Sequence, residues 1–144
     1  MNQHDTTDLL RDAAVRATTA VGLGSIAVIH AVDSVGKWSE TRYMFWMYIG
    51  LIAASLATAG AVLLVRNARL ALAAAGGLAV SAALGYVLSR TTGLPGATGD
   101  IGNWTEPLGL ASLVIEGSVV ALAGAALARP FARSDRHPPL AAAH

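Results

Sequence analysis

The segment from Tyr43 to Val65, YMFWMYIGLIAASLATAGAVLLV, runs for 23 residues without a charged side chain. A helix rises about 1.5 Å per residue, so the run reaches about 35 Å and can cross a hydrocarbon core of roughly 30 Å. In lipid the backbone polar groups must be satisfied within the segment, which selects a helix. Three further apolar runs approach the same length: Ala13–Val32, Leu70–Ser89 and Pro107–Ala128. The whole chain is 144 residues, 54% hydrophobic and 13% charged, whereas a soluble domain carries about a quarter charged residues. The expected architecture is therefore an all-α membrane protein. A four-transmembrane-helix bundle occupies 13–128, with helices near 13–32, 43–65, 70–89 and 107–128. Polar tails, 1–12 and 129–144, flank it.

Composition excludes several classes of function. There is no cysteine, which removes thiolate metal sites, Fe–S clusters and thiol–disulfide chemistry. A net charge of +1 offers no basic surface for nucleic acid. The opening MNQHDTTDLLRDAAVR sets three aspartates against two arginines. It lacks the positive n-region of a signal peptide, so the first helix is expected to be retained. Arginine outnumbers lysine nine to one and alanine and glycine abound, a bias expected of a GC-rich bacterial genome.

Loop charge sets an expected orientation. Four spans put both termini on one side, together with Arg11, Arg16, Arg66, Arg69, Arg129, Arg133 and Arg136. The opposite side carries Lys37, Arg42 and Arg90. The positive-inside rule then places both termini in the cytoplasm of a multi-pass protein of the bacterial inner membrane. Two hairpins result, with outward-facing loops Asp33–Arg42 and Arg90–Glu106.

Each outer loop closes on a related pentapeptide, GKWSE at Gly36–Glu40 and GNWTE at Gly102–Glu106. A duplicated hairpin is one explanation. The plainer one is that two helices start alike. Trp38 and Trp104 would anchor at the headgroup level, Ser39 and Thr105 would cap, and Glu40 and Glu106 would favour the positive helix ends. Pro107 suits a first turn, where its missing N–H is not needed. Small residues recur every fourth position at Ala73, Gly77, Ser81 and Gly85, at Gly50, Ala54 and Thr58, and at Gly109, Gly117 and Ala121. Such stripes are expected to be the faces on which the helices approach closely, within the bundle or between two copies.

Glu116 is the most informative residue. It lies ten residues beyond Glu106, so about 15 Å deeper, near the bilayer midplane. An ionisable group at that depth costs about 2.5–3.5 kcal/mol on insertion scales and normally faces the bundle interior. Desolvation there favours the neutral carboxyl, hydrogen-bonded to a hydroxyl such as Ser112, Ser81 or Thr58. Such a group serves as a proton or cation relay, as a polar anchor for a ligand, or as structural glue between helices. His30, near the outer end of the first helix, is either an interfacial histidine or a ligand. Asp33, Glu40 and Glu106 would complete a metal set only by folding over the mouth. Haem would need a second axial ligand, and His4, His137 and His144 all lie in the tails. Arg90 would snorkel and cap carbonyls at its helix end, bind an anion, or pair with Glu106 or Asp33. Leu94-Pro95-Gly96-Ala97 fits a type II turn that folds the long loop back over the bundle, and long ordered loops are often functional. Catalytic templates fail: Gly22-Leu23-Gly24-Ser25 has no nucleophile-elbow flank, and no phosphate loop, HExxH or second intramembrane acid is present.

Ser89-Arg90-Thr91-Thr92-Gly93-Leu94-Pro95, then Glu106-Pro107-Leu108-Gly109, then Glu116 together resemble a group of small bacterial four-helix membrane proteins. That group carries SRT-x-GLP, EP-x-G and a glutamate within the fourth helix. A histidine like His30 recurs in it, but the second histidine often found in its first outer loop is missing from DSVGKWSE. The resemblance spans about residues 20–128. It implies the four-helix topology and singles out Arg90, Pro95, Glu106 and Glu116, without implying a reaction.

The expected function is non-enzymatic. A polar mouth of His30, Asp33, Arg90 and Glu106 above Glu116 would serve an accessory or small-ligand-binding subunit. The lipid bilayer, further copies or a membrane complex would be its partners, with no nucleic acid, metal or cofactor. The alternatives are a proton-coupled or cation transporter using Glu116, and a metal- or cofactor-binding redox subunit at His30.

Overall fold

A computed structural model describes residues 3–129. Within them the chain forms four helices: α1 (Gln3–Glu40), α2 (Arg42–Leu64), α3 (Arg69–Thr91) and α4 (Pro107–Leu127). All four are long and apolar enough to cross a membrane. Large apolar side chains point outward from each of them, among them Val21, Leu56, Leu84 and Val114. Such an exterior suits a lipid solvent rather than water. Arg133, Arg136, His137 and His144 lie outside the described residues.

α1 packs along α2 and α3 along α4, and narrower α1–α4 and α2–α3 seams complete the arrangement. The buried core is small. Leu23 and Ile26 of α1 meet Ala75 and Ala79 of α3 and Val119 of α4, and a second cluster joins Val62, Ala68 and Leu72 where α2 turns into α3. Close approach replaces bulk: a Cβ on Gly22 would run into Val119, and one on Gly76 would lie 3.3 Å from that of Ala123.

Three expectations need correction. The first helix is not confined to 13–32. It runs for 38 residues, about 57 Å at the standard rise, so it exceeds the roughly 30 Å hydrocarbon core at its ends. The polar start at Gln3 is already helical, and the expected outer loop Asp33–Arg42 is helix except at Thr41. Nothing in HAVDSVGKWSE breaks a helix, and Lys37 and Glu40 form an ion pair at 2.9 Å one turn apart.

Secondly, Ser39 and Thr105 are not caps. Ser39 donates to the Gly36 carbonyl at 3.1 Å. The residue capping α2 is Thr41, through its carbonyl, which accepts from Met44 at 3.0 Å. The cap of α4 is Glu106, with Pro107 in the first turn as expected. The two pentapeptides therefore occupy opposite settings: GKWSE ends α1 and GNWTE precedes α4. Shared helix-start chemistry does not explain their likeness.

Thirdly, the stripe Gly77, Ser81, Gly85 is not a packing face between helices. Gly77 and Ser81 are exposed, and no atom lies within 4 Å of a Cβ built on Gly77 or Gly85. The buried side of α3 is offset from the stripe and runs through Leu72, Ala75 and Ala79.

Two arginines close the end opposite the long loop by capping neighbouring helices. Arg16 donates to the Val65 carbonyl at 2.8 Å and the Arg66 carbonyl at 3.2 Å, while Asp12 holds its Nε at 2.7 Å. Arg69 donates to the Leu127 carbonyl at 2.8 Å. Each fills carbonyls that a helix C-terminus leaves without partners. Arg16→Met is expected to cost about 1.5–3 kcal/mol, the scale of hydrogen bonds to a charged group. Thermal unfolding in mild detergent checks this, with the exposed Arg11→Met as the near-neutral control.

Candidate functional site

The long connection between α3 and α4 is folded down onto the bundle by local chemistry. Leu94 and Ala97 exchange both backbone hydrogen bonds, at 2.8 and 3.1 Å, around Pro95 and a Gly96 with φ of 71°. This is the expected turn, and its third position requires glycine. The amide of Gly102 then donates to the Arg90 carbonyl at 2.9 Å, tying the far limb of the loop to the last turn of α3.

Arg90 organises this region. Its side chain is only 7% exposed, and its guanidinium bridges Asp100 at 3.1 Å and Glu106 at 3.3 Å. The same group stacks 4.8 Å above the ring of Tyr86, a cation–π contact. Of the roles expected for Arg90, the pairing with Glu106 is present. The helix-end carbonyl of Leu88 is instead satisfied by the Thr92 and Gly93 amides, and Asp33 is not its partner. Asp100 was not singled out from the sequence: an aspartate in a Gly/Thr-rich loop carries no local signal of a partner ten residues away.

Glu106 has two tasks. Its carboxylate accepts from the amides of Leu108 at 3.1 Å and Gly109 at 2.8 Å, so it caps α4 and complements the helix dipole while holding Arg90. Gly109 is required for this geometry. A Cβ there would collide with the Tyr86 ring and lie 2.8 Å from the Glu106 carboxylate. Tyr86 in turn donates to the Trp104 carbonyl at 3.3 Å and meets the Trp104 ring edge-on at 6.1 Å. At the α1–α2 reversal, Trp38 packs against Phe45 at 5.1 Å and under Arg42 at 4.8 Å. Both tryptophans remain partly exposed, as amphipathic anchors at a membrane surface are.

Beneath this roof lies a cavity of about 480 Å³, within the range of small-molecule sites. All five residues expected at the mouth and below it, His30, Asp33, Arg90, Glu106 and Glu116, line it. Their placement differs from expectation in one respect. Because α1 continues to Glu40, His30 sits ten residues inside the helix rather than one turn from its end, and Asp33 is on the helix and not in a loop.

Glu116 is 1% exposed. Its Oε1 accepts from Ser112 at 2.6 Å, the hydroxyl one turn away on the same helix face. Ser81 donates to the Gly77 carbonyl at 2.8 Å instead, although it too lines the cavity. Glu116 Oε2 has no protein partner; Arg90 Nε, Thr19 Oγ1 and Ser55 Oγ are the other such buried atoms among the described residues. His30 donates through Nδ1 to the Ile26 carbonyl at 2.9 Å when neutral, and meets Tyr48 edge-on at 5.2 Å. This leaves Nε2 as its remaining hydrogen-bonding atom. Among the described residues no three His, Asp or Glu side chains converge as a metal site would need.

Compared with protein-family models, with curated proteins and with solved structures, the chain matches none.

Replacing Arg90 by Met removes the partner of two carboxylates and is expected to cost about 1–3 kcal/mol, below the full penalty for breaking a buried pair because both acids are partly exposed. Limited proteolysis should then cut faster within 92–105. Arg90→Lys should restore little, since a point charge cannot bridge two carboxylates as the guanidinium fork does.

Proposed function

We propose that this chain is an integral inner-membrane protein that binds a small ligand in an outward-facing cavity, as an accessory or binding subunit without catalysis of its own. One observation carries the reading: a fully buried glutamate, Glu116, with one oxygen that has no protein partner, lines a cavity large enough for a small molecule. A buried polar atom without a partner is costly, and a bound hydrogen-bonding group would remove that cost. The walls divide as binding sites do, with Ile29, Met44, Met47, Leu51 and Leu108 apolar and a few polar groups convergent. Membership of the group of small bacterial four-helix proteins is proposed on the SRT-x-GLP, EP-x-G and Glu116 pattern.

The test is a native mass spectrum of protein gently extracted from its own membrane. A stoichiometric added mass that is lost in Glu116→Gln is the expected result. Wild-type protein carrying no added mass, and gaining none on incubation with membrane extract, would count against the reading.

A second reading, proton or cation transport through Glu116, is favoured by the same unpartnered oxygen and by His30 lining the same cavity. It expects ion-driven flux in liposomes that Glu116→Gln abolishes with the fold intact; flux unaffected by that change would sink it. No specific contact favours a redox centre at His30.

The two-hairpin topology with cytoplasmic termini belongs to the same proposal, and Arg16, Arg66 and Arg69 at one end support it. The cysteine-free chain makes the test simple. In intact cells a membrane-impermeant maleimide should label Gly99→Cys and leave Asn67→Cys unlabelled until the cells are broken.

A further inference from the structure

Charge inside the cavity is unevenly compensated. Four acidic side chains line it, Asp33, Asp100, Glu106 and Glu116, against two basic ones, Lys37 and Arg90. Both bases are already engaged, Lys37 by Glu40 at 2.9 Å and Arg90 by Asp100 and Glu106. Each base thus already holds a carboxylate, and Arg90 keeps only Nε without a partner. Among the described residues Asp33 and Glu116 make no ion pair in return, and the deeper of the two carries the orphan oxygen. His30, with Nδ1 committed to the Ile26 carbonyl at 2.9 Å, lines the same space and keeps Nε2 as an acceptor. A positive hydrogen-bond donor matches these acids, on condition that Glu116 gives up its proton to bind it.

A bare metal ion does not fit the site. Hard cations want roughly six oxygens or more, and no three ligand-type side chains converge among the described residues. The cavity is also far larger than an ion, and its apolar wall of Met44, Met47, Leu51 and Leu108 would face nothing. A positive group bearing apolar substituents satisfies both halves.

Access has a direction as well. Met47 of α2 is 59% exposed, and Ser81 of α3 is exposed, yet both line the cavity. The cavity thus reaches the exposed surface at both α2 and α3. A Cβ built on Gly77, one turn before Ser81 on α3, would meet nothing within 4 Å.

We propose that the cavity takes a small lipophilic ammonium, a protonated amine carrying an apolar substituent, that enters between α2 and α3 and is held by the carboxyl group of Glu116. This rests on the ligand-binding reading above and deepens it. The amine N–H groups would meet Glu116 Oε2 and His30 Nε2, and the substituent would lie on the methionine and leucine wall.

The test uses the full chain in lipid nanodiscs and equilibrium binding of three labelled probes of one shape at neutral pH: phenethylamine, 2-phenylethanol and 3-phenylpropanoate. Phenethylamine should bind saturably, with the neutral and anionic probes at least about tenfold weaker, the scale of one charge-assisted hydrogen bond. Glu116→Gln should weaken the amine at least about tenfold, as should Met47→Trp, which narrows the seam without altering charge. Circular dichroism and size-exclusion behaviour establish that the variants fold. Should Glu116→Gln fail to fold, Met47→Trp and the probe comparison decide. Equal binding of the alcohol or the acid, or amine binding indifferent to Glu116→Gln, would overturn the ammonium assignment and leave the ligand-binding reading standing. Saturable binding of none of the three would overturn the ammonium assignment, while the native mass spectrum decides the ligand-binding reading by itself.

Discussion

The half of this protein that carries the long loop depends on one side chain, the guanidinium of Arg90. It projects from the last turn of α3, is almost wholly buried, and holds an aspartate of the long loop and the glutamate that starts α4. Burying an arginine is costly unless its charge is met and its donors are used. Two carboxylates and the face of Tyr86 meet that demand here. Because Glu106 also caps α4 through the Leu108 and Gly109 amides, the same ion pair fixes where α4 begins. Loop, helix start and helix end are thereby one cooperative unit, and this unit roofs the cavity.

The cavity itself follows from how the four helices are unequal. α1 is unbroken to Glu40 and supplies a wall carrying His30, Asp33 and Lys37. The tight packing of alanine and glycine lies deeper, around Leu23, Ile26, Ala75, Ala79 and Val119. Lipid offers no hydrophobic force to press helices together, so contacts form where small residues and polar bonds permit. Below the roof they draw the helices together; nearer to it, the methionines, Tyr48 and Tyr86 stand around open space. Glu116 sits fully buried against that space with half its carboxylate satisfied by Ser112. That half-satisfied state gives the proposed function its chemistry.

Some of this was legible in the chain. Four apolar runs and the cost of unsatisfied backbone in lipid lead to four long helices without further information. An acid ten residues inside such a run is conspicuous for the same reason, and its serine partner one turn away follows from helical spacing. The Pro95-Gly96 turn is local chemistry too. Other features resisted local reading. HAVDSVGKWSE looks like a loop because it is polar, but polarity marks exposure, and an exposed helix serves as well as an exposed loop. The glycine stripe of α3 looks like a packing face, yet spacing shows only that those residues share a side, not what that side meets.

What the sequence by itself determined, then, is everything set by the solvent and by neighbours within a turn or two: the helical class, the depth of Glu116, the turn, the proline at the start of α4. Tertiary structure alone decided which charges meet. Arg90 could reach several acids, and only the fold of residues 92–105 brings Asp100 and Glu106 within 3.1 and 3.3 Å of it. The fold alone also decided that His30, Asp33 and Glu116, from two helices far apart in the chain, line one cavity. Side-chain reach is a few ångströms, and which groups come within it depends on how whole helices pack, a property of the ensemble of contacts and not of any segment.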